Sequence, residues 1–191
     1  VGLSEVIVAA SVLLILVGLQ LVLIQGASSA FHKTNTQADL LQDMEITLAR
    51  FTRDAQGSTL AGLSLNGNGV GFLSAHLAQQ NLQLSPSGQP MWKQYLLYYL
   101  DAPSKELRWR SLPMVAASET PLTLDAYDFG SGPLPMATYQ VAGKPLARFV
   151  DGFTVAAVNS EITATLQCSR LRYGSPRPEK ISMTQTVCMR N

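Results

Sequence analysis

Two cysteines and two histidines are all that 191 residues hold, and the charges nearly cancel, fourteen Lys and Arg against thirteen Asp and Glu. No basic excess draws the chain to nucleic acid, and Arg108 and Arg110 beside Trp109 make too small a patch to suggest it. His32 and His76 stand far apart without a nearby cysteine, so the clustered ligands of a structural zinc site are missing. Asp101, Asp125, Asp128 and Asp151 follow no position-coded calcium loop and read as solvated turn residues. There is no G-x-S-x-G, no Walker loop, and no nucleophile with a base nearby in sequence. Neither catalysis nor a cofactor nor a metal is expected. Lys and Arg are missing before Lys33, and proline before Pro86. The first absence removes the basic n-region of a cleaved secretory signal, despite the small residues Ala27-Ser28-Ser29-Ala30. The second leaves a long helix unbroken.

Against these absences stands one long apolar run. Val6 to Ile24 spans nineteen positions without a charge, with Ser11 and Gln20 the only clearly polar side chains. As a helix it measures roughly 28 Å, close to the hydrocarbon thickness of a bilayer. A simple membrane anchor is one reading. Glu5 argues for more. A carboxylate in mid-membrane costs roughly 2.5 to 3.5 kcal/mol, less near the interface, and a passive anchor has no use for it. In a polymer the α-ammonium of a neighbouring subunit neutralises it. Breaking such a buried pair costs roughly 3 to 5 kcal/mol, so the pair selects axial register.

The opening Val1-Gly2-Leu3-Ser4-Glu5-Val6, followed by the apolar run, resembles the mature N-terminus of type IV pilins and pseudopilins. That resemblance implies cleavage by a prepilin peptidase after a glycine, methylation at Val1, and Glu5 as the assembly charge. It also implies a removed leader. Gly2 and Ser4 depart from the usual pattern, and Val22 stands where many major pilins carry a helix-bending proline. The expected fold is α+β: a long N-terminal helix packed on an antiparallel sheet. Residues 1–26 would form the transmembrane and polymerising half of the helix, 27–56 its amphipathic half, and 57–191 a β-rich head.

Phe31, Leu40, Leu41, Met44, Leu48 and Phe51 keep helical spacing through a polar background, an apolar stripe expected to face the head. Gly57 is the expected stop, with Arg50 and Arg53 facing the negative end of the helix dipole. Beyond it, alternation predicts strands at Gly71–Ala75, Lys93–Leu100, Leu107–Leu112, Arg148–Val158, Glu161–Arg172 and Lys180–Cys188. Hairpins are expected to turn through Asp101–Ser104, at Asn159-Ser160 and through Gly174–Pro178. Pro113 to Pro145, with five prolines, reads as a long surface excursion.

The order LARFTRDAQGS, YLLYYLD with ELRWRSL, FVDGFTV, and a hairpin ending in Arg190-Asn191 is similar to the minor-subunit branch. That branch includes PilW-type pilins and the J-type pseudopilins of type II secretion. It implies a low-copy subunit at a filament tip, priming or capping assembly. Its partners would be other major and minor subunits, the prepilin peptidase and the inner-membrane assembly platform. The chain would sit in the bacterial inner membrane with its head outside before entering a pilus or pseudopilus, and a tip position is compatible with adhesion or DNA uptake. Export and the even count also favour a Cys168–Cys188 disulfide, as type IV pilins commonly staple a C-terminal loop. It conflicts with alternation, because Cys168 continues the face of Ile162, Ala164 and Leu166 while Cys188 alternates with Val187. The bridge needs a bulge, or a chain turning off the strand end at Cys188; otherwise a regular hairpin leaves both thiols free. The rival functions are a major pilin or pseudopilin, and a non-polymerising anchored binding protein or adhesin.

Overall fold

The computed structural model describes residues 2–75, 84–171 and 177–189, with the backbone but not the side chain of Glu5. One helix, α1 (Leu3–Gln56), comes first and two antiparallel sheets follow, an α+β chain. Without a proline to break it, α1 continues to the residue before Gly57, whose N–H donates to Arg53 O (3.2 Å). One compact unit comprises Val1–Asp39 with Arg170–Glu179, and a second comprises Leu40–Ser169 with Lys180–Asn191.

The five-stranded sheet runs in the order β1 (Ser64–Asn66), β2 (Gly69–Ser74), β3 (Trp92–Asp101), β4 (Glu106–Ser118) and β5 (Lys144–Arg148). The second sheet is β6 (Val150–Val158), β7 (Glu161–Leu171) and β8 (Pro178–Cys188). All six expected strands occur, and β1 and β5 are additional. The segment Arg148–Val158, expected as one strand, is divided at Phe149. Its φ of 59° lies in the left-handed region, costly for a bulky residue. Two backbone hydrogen bonds hold it there, Val150 N–H to Lys105 O (2.9 Å) and Ser169 N–H to Phe149 O (2.8 Å). The chain thereby leaves one sheet and enters the other. The first two expected hairpins form, with Asp101 facing Glu106 and Val158 facing Glu161. The third turn falls largely on residues 172–176, outside the described residues.

Alternation along β3 organises the core of the second unit. Leu96 and Tyr98 face a cluster shared with Leu40, Met44, Leu48, Phe51 and Ala55 of α1 and with Phe153, Ile162 and Leu166 of the second sheet. Phe51 lies at its centre, edge-on to Phe72 (5.1 Å), Tyr98 (5.6 Å) and Phe153 (6.3 Å). The helix stripe is narrower than the spacing suggests: Leu41 is 38% exposed, and Phe31, in the first unit, is exposed as well. Tyr95, Leu97 and Tyr99 point the other way into a second cluster with Leu124 and Met136, flanked by Tyr127, Phe129 and Tyr139. Pro113 to Pro145 is therefore more than a surface excursion. It completes β4, covers the outer face of the sheet and begins β5.

The sheet is closely fitted where β2 passes β3. A Cβ added to Gly69 would lie 2.6 Å from the Tyr98 carbonyl oxygen and 2.9 Å from Gln140 Nε2. Backbone on one side cannot yield without breaking the ladder. Gly69→Ala is expected to lower stability by about 1 to 3 kcal/mol in urea unfolding, and an unchanged midpoint would show that the strand shifts freely.

Candidate functional site: the two halves of the N-terminal helix

A single helix carries two opposite burial patterns. From Val6 to Ile24 every large apolar side chain is exposed, from Val17 at 44% to Leu23 at 71%. The best window of this helix has a mean hydropathy of 2.9, none of it buried, so α1 is long and apolar enough to cross a membrane. A helix apolar all round needs a non-aqueous environment. Its polar content is largely self-contained: Ser11 Oγ donates to Ile7 O (2.8 Å), the i−4 bond that satisfies a hydroxyl without water. Added Cβ atoms at Gly18 and Gly26 would meet nothing within 4 Å, so intrachain packing does not explain either glycine.

The other half is fastened to the sheets. Besides its apolar stripe, α1 is tied by a polar link that the sequence does not announce. Tyr98 Oη donates to Asp54 Oδ2 (2.6 Å), and the Asp54 side chain is only 9% exposed. Burial, then the adjacent carboxylate, pushes the Tyr98 hydroxyl far above its usual pKa, so it stays a donor. Arg50 and Arg53 approach Asp54 at 4.0 and 3.4 Å. Arg50 also stacks on Trp109, its guanidinium carbon 3.9 Å from the ring centroid. Of the two arginines expected at the helix-dipole end, Arg53 lies in the last turn, and Arg50, one turn earlier, clamps the helix to β4.

Arg108 and Arg110 are also committed internally. Arg108 pairs with Asp101 (3.0 Å) and Glu106 (2.9 Å), and Arg110 donates to the carbonyls of Tyr139 (2.9 Å) and Val141 (3.0 Å). The four aspartates have separate tasks. Asp125 accepts from Met136 N–H, Asp128 from Gly130 and Gly132 N–H, and Asp151 from Lys105, while Asp101 holds Arg108. Among the described residues no three His, Cys, Asp or Glu side chains gather where a metal ion would sit. Val1, His76 and the side chain of Glu5 lie outside the described residues.

The expected Cys168–Cys188 disulfide is corrected by the register of the second sheet. Thr163 meets Thr186 and Thr165 meets Thr184, each pair of hydroxyls 3.0 Å apart, while Met189 N–H donates to Ser160 O (2.7 Å). This register sets Cys188 across from Glu161 and Cys168 across from Ile181. The cysteines are thus seven positions apart along the ladder, roughly 23 Å at about 3.3 Å per residue. A disulfide needs Cα atoms about 4.4 to 6.8 Å apart. The faces differ too: Cys168 is buried in the core, Cys188 is exposed, and both are free thiols. The alternation conflict in the sequence was the correct signal, and the even cysteine count was not.

No family model, no curated protein and no solved structure matches the chain. The fold and site therefore stand on their own geometry: an antiparallel sheet assembly fastened to the second half of a helix whose first half is apolar on all sides.

Tyr98→Phe removes the donor and leaves the Asp54 carboxylate under-satisfied, a loss of about 1 to 3 kcal/mol. The urea midpoint should fall, and a midpoint equal to that of the parent chain would deny the link any stabilising role. Maleimide is expected to label Cys188 in the folded, unreduced chain. Cys168, its thiol pushed up to about 11 chiefly by burial, should label only after denaturation. Failure to label Cys188 until reductant is added would restore the disulfide.

Proposed function

We propose that this chain is a type IV pilin-like subunit of low copy number that helps prime or cap a pilus or a type II secretion pseudopilus. The observation that carries the reading is the split burial of α1: its second half is locked into a β-rich head while its first half is apolar on every side. A membrane meets that demand before assembly, and the helices of other subunits meet it afterwards. Because lipid and neighbouring helices are equally apolar, transfer between them is driven by packing and polar pairing rather than by the hydrophobic effect. Glu5 then carries the selectivity, its carboxylate facing the α-ammonium of a neighbour's Val1. Prepilin peptidase, the methylating activity at Val1 and the inner-membrane assembly platform are the partners this reading requires. The head lies outside the cytoplasmic membrane until extraction.

An anchored binding protein that does not polymerise shares the apolar helix, and the readings separate at Glu5. Glu5→Ala should leave export and membrane retention intact while strongly reducing recovery in sheared filaments, quantified against the main subunit by mass spectrometry. Trace, reproducible amounts of the parent chain are expected there. Near-stoichiometric amounts would make it the filament body. Incorporation unaffected by Glu5→Ala would remove the charge pair from the mechanism, and no recovery of the parent chain from pili or pseudopili would favour the plain anchor.

A further inference from the structure

Among the described residues four strands stand at sheet edges, and three are blunted in ways that discourage pairing with another chain. β1 is three residues long, β5 carries Lys144, Pro145 and Arg148, and β6 has Asp151 at an irregularity between Val150 and Gly152. β8 carries such residues, Pro178, Glu179 and Lys180, only at its start. From Ile181 to Cys188 it runs eight residues without a charge, a proline or a glycine, and half of them are β-branched.

Its hydrogen-bonding direction follows from the register. Met189 bonds to Ser160, so alternate residues Val187, Gln185, Met183 and Ile181 direct their backbone groups to β7. The close Thr163–Thr186 and Thr165–Thr184 contacts are then the non-hydrogen-bonded pairs. Ser182, Thr184, Thr186 and Cys188 therefore turn their N–H and C=O groups away from β7. Among the described residues no strand meets them, and Thr186 O receives only the side-chain amide of Gln185 (3.3 Å). Beside this edge, between α1 and β8, lies a groove of about 360 Å³ lined by Glu45, Leu48, Ala49, Thr52, Met183 and Gln185.

We propose that the free edge of β8 is a docking site for an extended strand of another protein. Alternate apolar side chains of that strand enter the groove, and a Lys or Arg meets Glu45. Four outward residues, spaced two apart, offer both donor and acceptor to an extended backbone, which neither lipid nor a helix can match. Leu48, Ala49 and Met183 suit aliphatic side chains, and Glu45 is the one charge in the lining, so the ligand's complement is basic. A second copy of β8 fits less well, since its groove-side residues Ile181, Met183, Gln185 and Val187 include no base. The site lies wholly within the second unit, between the packed half of α1 and β8, and does not depend on how the first half of α1 meets the membrane.

The test uses the full chain in detergent micelles, amide hydrogen exchange, and the synthetic peptide acetyl-TKTLTVT-amide, whose Lys, Leu and Val share one face. Saturating peptide should slow exchange at Ser182, Thr184, Thr186 and Cys188 while leaving the β7-bonded amides unchanged. Thr184→Pro removes one outward donor and no bond to β7, and should weaken binding about tenfold. Should that variant unfold, Glu45→Lys serves instead: it should disfavour the Lys peptide and favour acetyl-TETLTVT-amide. Unchanged exchange at millimolar peptide would overturn the proposal. So would protection without peptide that rises with protein concentration, which would assign the edge to a second copy.

Discussion

A helix with two solvents is the constraint on which the rest of this molecule depends. Residues Leu40 to Ala55 of α1 find their apolar surroundings inside the chain, between a five-stranded and a three-stranded sheet. Residues Val6 to Ile24 find none. Full burial of a large aliphatic side chain contributes roughly 1.5 to 3 kcal/mol, so leaving more than a dozen of them in water is untenable for a stable, dispersed protein. The environment must supply what the fold does not, and the proposed passage from lipid into a bundle of like helices is one way to meet that demand.

That division sets requirements on the other half. If the apolar segment is to change environment, the head has to stay attached to the helix throughout. Apolar packing around Phe51 provides most of the hold, and the Tyr98–Asp54 bond with Arg50 stacked on Trp109 adds direction. A hydrogen bond to a carboxylate that is nearly out of water fixes the rotation of α1 about its own axis more tightly than aliphatic contacts do. The second cluster on the outer face of the sheet serves the same end. β3 is buried on both sides, so the surface against which the helix lies is itself backed by Leu124, Met136 and three half-buried aromatic rings.

Where the sequence misled, the competing signal was also in it. YLLYYL does form one strand of a hairpin, as expected, but its lack of polar alternation also marked burial on both faces, and the proline-rich segment read as a surface excursion provides the second cover. The cysteine pair shows the same conflict. Composition and compartment pointed to a bridge, whereas alternation put the two thiols on opposite faces. Register then placed them at opposite ends of the ladder, so geometry prevailed over count. Arg50 was expected near the helix terminus, and its stacking on Trp109, distant in sequence and brought close only by folding, had no local signal.

Local pattern was sufficient for the membrane-length apolar run, the unbroken helix ending before Gly57, the six main strands and two of the turns. Each of these depends on side-chain periodicity, proline placement or turn chemistry within a few residues. The five-stranded order, the change of sheet at Phe149, the Tyr98–Asp54 link and the bare edge of β8 were decided by tertiary structure alone. They rest on pairings between residues tens of positions apart, where register and face must satisfy all neighbours at once and no local period records the outcome.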